Sequence, residues 1–77
     1  MNVFEERGII TLDLHGVRHH EVNEIAHDFV LRNQDKLPLI IICGNSMRMI
    51  NLVCECCKEQ NFEYSQPRFG IVRVERI

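Results

Sequence analysis

Pro38 and Gly44 bracket an unbroken apolar run, Leu39-Ile40-Ile41-Ile42-Cys43, of the length of one strand. A run without polar alternation suits a strand that is central in a sheet or covered on both sides. Upstream, Ile9-Ile10-Thr11-Leu12-Asp13-Leu14-His15 alternates over its second half. That alternation points Ile10, Leu12 and Leu14 to a core, with Thr11, Asp13 and His15 on the opposite side. Between the two strands, from Arg18 to about Gln34, the period changes. Val22, Ile25, Ala26, Phe29 and Val30 recur at i, i+3, i+4, i+7 and i+8, which is one helical face. Glu21, Glu24, Asp28 and Arg32 fall off that stripe, and Pro38 forbids continuation. Strand, helix, strand is a βαβ unit, whose strands run parallel.

After Gly44-Asn45-Ser46, where Asn45 or Ser46 can cap a helix, a second amphipathic segment runs from about Met47 to Gln60. It buries Ile50, Val53, Cys54 and Cys57. Phe62-Glu63-Tyr64-Ser65 reads as a short strand, Gln66-Pro67 as a turn, and Ile71 to Ile77 as a last strand. The expected fold is an α+β two-layer sandwich, βαβαββ, with a four-stranded mixed sheet and two helices on one face. Residues 1–8 read as a short N-terminal extension and 9–77 as a single domain. The uncovered face should carry Thr11, Asp13 and Arg73.

A chain of 77 residues has room for one domain. With 45% hydrophobic and 26% charged residues it is a folding sequence and not a disordered tail. A net charge of −2 excludes a strongly basic nucleic-acid coat, although a sum leaves room for a local basic patch. No apolar run approaches the roughly 20 residues that cross a bilayer. The opening Met1-Asn2-Val3-Phe4-Glu5-Glu6 lacks the cationic start of a signal peptide, so a cytoplasmic protein is expected. In that compartment Cys43, Cys54 and Cys57 read as small core residues. Cys56, between two buried positions, is expected to be exposed and oxidisable. The cysteines lack the second ligand pair that a zinc knuckle requires.

Ligands of parallel α/β sheets collect at the carboxyl ends of the strands. Two such ends converge here: Asp13-Leu14-His15-Gly16 and Cys43-Gly44-Asn45-Ser46. Arg18, His19 and His20 open the first helix, where cations oppose the macrodipole, an arrangement that makes sense if an anion visits. Histidine exchanges protons near neutrality, and Asp13 can orient His15, hold a divalent metal or simply cap a turn. Arg18, Arg48 and the amides near Gly44 can offset developing negative charge. Lesser possibilities are a Cys43/His15 nucleophile pair, a metal held by His15, His19 and His20 (with His19 and His20 pointing apart), and Tyr64 or Phe69 stacking on bases.

Leu12-Asp13-Leu14-His15-Gly16, at a strand end before a helix, resembles the signature of Smr (small MutS-related) domains. The order of elements over residues 9–77 follows the same family. The resemblance implies a fold similar to the C-terminal domain of translation initiation factor three. It further implies endonuclease activity on RNA or DNA, with Asp13 and His15 catalytic. Gly16, Arg18, His19, Gly44, Asn45, Ser46 and Arg48 would bind substrate, and a ribosome is a possible partner. The family's second motif, His-Gly-Lys-Gly or Thr-Gly-x-Gly, is here Cys43-Gly44-Asn45-Ser46, without its Lys and second Gly. That departure motivates an alternative, a non-catalytic module binding nucleic acid or a ribosome-like surface. A third reading is an adaptor that meets a protein partner through the open sheet face.

Overall fold

The computed structural model describes residues 1–77. Five strands form one mixed sheet: β1 (Asn2–Glu6), β2 (Ile9–Asp13), β3 (Leu39–Ile42), β4 (Glu63–Arg68) and β5 (Ile71–Arg76). Their spatial order is β1-β2-β3-β5-β4, so the apolar strand β3 is central. β2 and β3 are parallel, as the βαβ reading requires, and every other pair is antiparallel. Helices α1 (Val22–Arg32) and α2 (Met47–Glu59) provide the second layer.

Alternation explains the layering. Leu12 and Leu14, Leu39 and Ile41, and Val72 and Val74 point to one side and are almost fully buried. They join Val22, Ala26, Phe29 and Val30 of α1 and Met49, Ile50, Val53, Cys54, Cys56 and Cys57 of α2 in a single cluster. One shared core places both helices on the same face. The other face carries Ile9, Thr11, Ile40, Ile42 and Ile71 without a helix over it, bordered by Glu6, Arg7 and Arg68. Thr11, Asp13 and Arg73 do belong to this uncovered side, and Arg73 is paired there with Glu75 at 3.2 Å. No helix is long and apolar enough to cross a membrane.

Residues 1–8, expected to lie outside the domain, instead supply the fifth strand. β1 pairs antiparallel with β2 from Asn2↔Asp13 to Glu6↔Ile9. The two strands are joined by Arg7 and Gly8, whose φ angles of 53° and 82° are those of a tight hairpin. Such turns are usually marked by Asn-Gly or Asp-Gly, so Arg-Gly gives little warning. The first helix is also shorter than its periodicity suggests. His19–Glu21 and Gln34–Lys36 are 3₁₀ turns flanking α1. Gln66-Pro67 does not turn the chain: β4 continues through it to Arg68, and the reversal falls at Phe69-Gly70. Proline is tolerated because β4 is an edge strand whose register breaks between Ser65 and Arg68.

Candidate functional site

The parallel register sets Asp13 beside Ile42, and the Leu14 N–H donates to the Ile42 carbonyl at 3.1 Å. The segments that follow therefore leave the sheet side by side, Leu14–Gly16 next to Cys43–Asn45. Buried Leu14 anchors the first of them. The Asp13 Oδ1 accepts the His15 backbone N–H at 2.9 Å, and the Val17 N–H donates to the Leu14 carbonyl at 3.0 Å. The Met1 nitrogen donates to the His15 carbonyl at 3.2 Å. His15 is thus held through its backbone at both peptide groups, while the residue itself is exposed. No hydrogen bond joins the Asp13 carboxylate to the imidazole. Asp13 works on the loop.

At the second strand end, the Ser46 Oγ accepts the Met49 N–H at 3.1 Å and caps α2. The expected capping role therefore falls to Ser46, and Asn45 stays exposed. A third segment closes on this loop. The Cys43 N–H donates to the Gly70 carbonyl at 2.7 Å. Gly70, at φ +87°, is packed so tightly that a Cβ there would lie 2.6 Å from the Gly44 carbonyl oxygen. The Phe69-Gly70 turn is therefore wedged against Cys43-Gly44, and only glycine fits.

Beginning two residues past His15, Val17, Arg18, His19, His20 and Asn23 line a shallow groove whose other wall is Arg48 and Leu52 of α2. The Cys56 Sγ lies 3.6 Å from the Asn23 carbonyl, and Asn23 Nδ2 donates to Glu59 at 3.0 Å; both tie the walls together further along α2. Neither Arg18 nor Arg48 is in an ion pair. The carboxylates that do pair serve Arg32, Lys36, Arg73 and Arg76. Glu21 is committed to the backbone, its Oε1 accepting the Arg18 N–H at 3.4 Å. Two free guanidiniums and two imidazoles thus share one groove in a chain of net charge −2.

Arg18, His19 and Arg48 are brought together in that groove, and Asp13, His15, Gly16, Gly44, Asn45 and Ser46 along the adjoining rim. His19 and His20 sit in a 3₁₀ turn, where successive residues diverge by about 120°, and both border the groove, His20 also facing Glu21 and Glu24. His20 and Asn23 complete it, and adjacency to His19 was the only sequence signal for His20. No three His, Cys, Asp or Glu side chains stand close enough together to hold a metal ion.

The cysteines occupy the opposite environment. Cys56 is 1% exposed, which overturns the expectation of an accessible, oxidisable thiol. α2 is covered on two sides: Cys54 and Cys57 face the sheet, and Cys56 faces α1. Burial pushes the Cys43 thiol up to about 12, reinforced by neighbouring Cys54. Burial likewise raises Cys57 to about 12. Cys43 is therefore a packed thiol with no thiolate to offer beside His15. No protein-family model matches the chain, and neither does any curated protein or solved structure.

Proposed function

We propose that this chain is a small nucleic-acid-acting domain of the Smr type that cleaves phosphodiester bonds at the rim formed by Asp13–Gly16 and Cys43–Ser46. The observation that carries the reading is the groove beside that rim, where Arg18, His19, His20 and Arg48 meet without a carboxylate partner. A polyanion is the ligand such a surface favours, because each neutralised phosphate also releases counterions. His15 is the acid or base that moves a proton to or from the reacting oxygens. Asp13 is a positioning residue that holds the His15 amide. Arg48 and Arg18 offset the charge that develops on the phosphoryl oxygens.

A non-catalytic binding module is the second reading. It is favoured by the engagement of Asp13 with backbone and by the neutral, exposed Asn45 where the family has a cation. One experiment separates the two: a cleavage time course on end-labelled single-stranded RNA and on supercoiled DNA, comparing the wild type with His15→Ala. Cleavage by the wild type alone is expected. If neither protein cuts while both bind, the module reading replaces the nuclease.

A further inference from the structure

We propose that Phe69 is a stacking platform for an unpaired base, so that the substrate is a single strand or the single-stranded part of a folded nucleic acid. The inference rests on the nucleic-acid reading above and sharpens it. Phe69 is 62% exposed. The other aromatics, Phe4, Phe29, Phe62 and Tyr64, are buried or half-buried. The turn needs glycine at position 70 and asks nothing of position 69, where a polar residue would meet water at no cost. The ring belongs neither to the core cluster nor to the partly buried residues packed against it.

Its placement suggests a role. Asp13 is in register with Ile42, Ile42 with Ile71, and Ile71 with Arg68. These residues form one row across the sheet, with strands spaced about 4.8 Å apart. His15 lies two residues beyond Asp13, and Phe69-Gly70 lies just beyond Arg68 and Ile71. Both stand on the same rim, Gly70 two strand spacings from the β2 end and Phe69, next to Arg68, up to three, or roughly 14 Å. A short stretch of strand spans that distance. The turn that carries the ring is also fixed, since the Gly70 wedge and the bond from Cys43 to Gly70 hold its backbone against the Gly44 loop. A backbone already held in place needs no reordering when a base stacks, an aromatic ring has only two torsions to restrict, and stacking is tolerant of sequence. Met47, 60% exposed in the first turn of α2, adds apolar surface beside the same loop. Arg68 on one side of the ring and Arg48 on α2 are both free of ion pairs, available for flanking phosphates. In a duplex the base faces are already covered by their neighbours, so a single exposed ring favours bases that are not.

The chain contains no tryptophan, so Phe69→Trp installs a single fluorophore at the platform. That variant is titrated with oligo(U), oligo(dT), an abasic strand of equal length and a blunt duplex. Labelled strands measure the affinities of wild type, Phe69→Ala and Phe69→Tyr in parallel. The expected result is quenching by oligo(U) or oligo(dT) and none by the abasic strand. Phe69→Ala should weaken binding of base-bearing strands by about tenfold and leave abasic binding unchanged. Phe69→Tyr should keep the wild-type affinity. The two base-bearing strands read out the preference for ribose or deoxyribose. Tight strand binding that is indifferent to Phe69→Ala, or equal affinity for the duplex, would overturn the platform alone. Absence of binding to every strand would overturn the nucleic-acid reading itself, and the platform with it.

Discussion

The chain carries two clusters of potentially reactive side chains in opposite environments. Cys43, Cys54, Cys56 and Cys57 are all buried, and burial raises every one of their thiols. His15, Arg18, His19, His20 and Arg48 are all exposed, clear of ion pairs, and set at or beside the strand ends. The difference follows from where each group falls on its element. The α2 cysteines occupy positions that face the sheet or α1, and Cys43 follows β3 directly into the core. The imidazoles and guanidiniums lie past the last ladder bond, where the backbone is still held by Asp13, Leu14 and Ser46 but nothing covers the side chains. Reactivity here is decided by position, and the more nucleophilic residue type is the silent one.

The largest effect should come from breaking the exposed cluster. His15→Ala is expected to lower the cleavage rate by about 10²- to 10⁴-fold, the usual worth of a general acid or base. Its melting temperature should barely move, because the residue is exposed. Asp13 offers a finer test. Asp13→Asn keeps an oxygen that can accept the His15 N–H and should retain most of the rate, whereas Asp13→Ala should lose much of it. Equal loss in both, measured as rate at saturating substrate, would mean the carboxylate charge acts directly and would reassign Asp13 to catalysis.

Breaking the buried cluster should show in stability instead. Cys57→Ser places a hydroxyl at a site 1% exposed, at a cost of about 1–3 kcal/mol in urea unfolding. Arg48→Ser on the exposed surface of the same helix should change stability by less than about 0.5 kcal/mol. A Cys57→Ser protein as stable as the wild type would mean that α2 is more loosely packed than its burial implies.

This division was only partly legible in the residues. β2 and the apolar faces of both helices declare themselves by their periods, and β3 by its unbroken apolar run between Pro38 and Gly44. β1 does not. Asn2-Val3-Phe4-Glu5-Glu6 has two apolar residues and pairs through backbone groups that any sequence possesses. The burial of Cys56 is hidden for a related reason: α2 buries a second face against α1, which periodicity within α2 alone does not reveal. The rim was legible because Asp13, His15 and Gly44 sit where strands end. The groove was not, because it needs a neighbouring helix to bring Arg48 and Leu52 against the 17–23 segment. Phe69 was visible as an aromatic but not as a turn tip, since Gln66-Pro67 was the stronger turn signal.

Alkaline titration separates the clusters next. Cys43 and Cys57 ionise near the ordinary value of 9.0 when unfolded and are pushed up to about 12 in the native state. Above pH 9.0 the native state therefore binds more protons than the unfolded one, and stability must fall as pH rises toward 12. The contribution is fully present below the unfolded value. The expected slope is on the order of 1 kcal/mol per pH unit for each thiol. Unfolding midpoints between pH 8 and pH 11 measure it. Cys57→Ala should flatten the slope, and an unchanged slope would assign the alkaline loss to other groups. The same thiols should resist alkylation at neutral pH until the protein unfolds.

The smallest effect belongs to single cations in the groove. Arg18→Gln and Arg48→Gln should each weaken strand binding a few-fold at moderate salt. Each should also lower the slope of log affinity against log salt by about 0.7, the loss of one phosphate contact to a single strand. The test lies in the slope more than in the affinity, because a packing defect shifts affinity without changing the number of ions released. Gln retains the stem and some hydrogen-bonding capacity, so a reduced slope reports the missing charge. If both variants keep the wild-type slope, the phosphates run elsewhere, and Arg68 beside the Phe69 turn becomes the cation to remove. A double variant that loses twice the slope of either single one would place two phosphates in the groove, on the wall that α2 shares with the 17–23 segment.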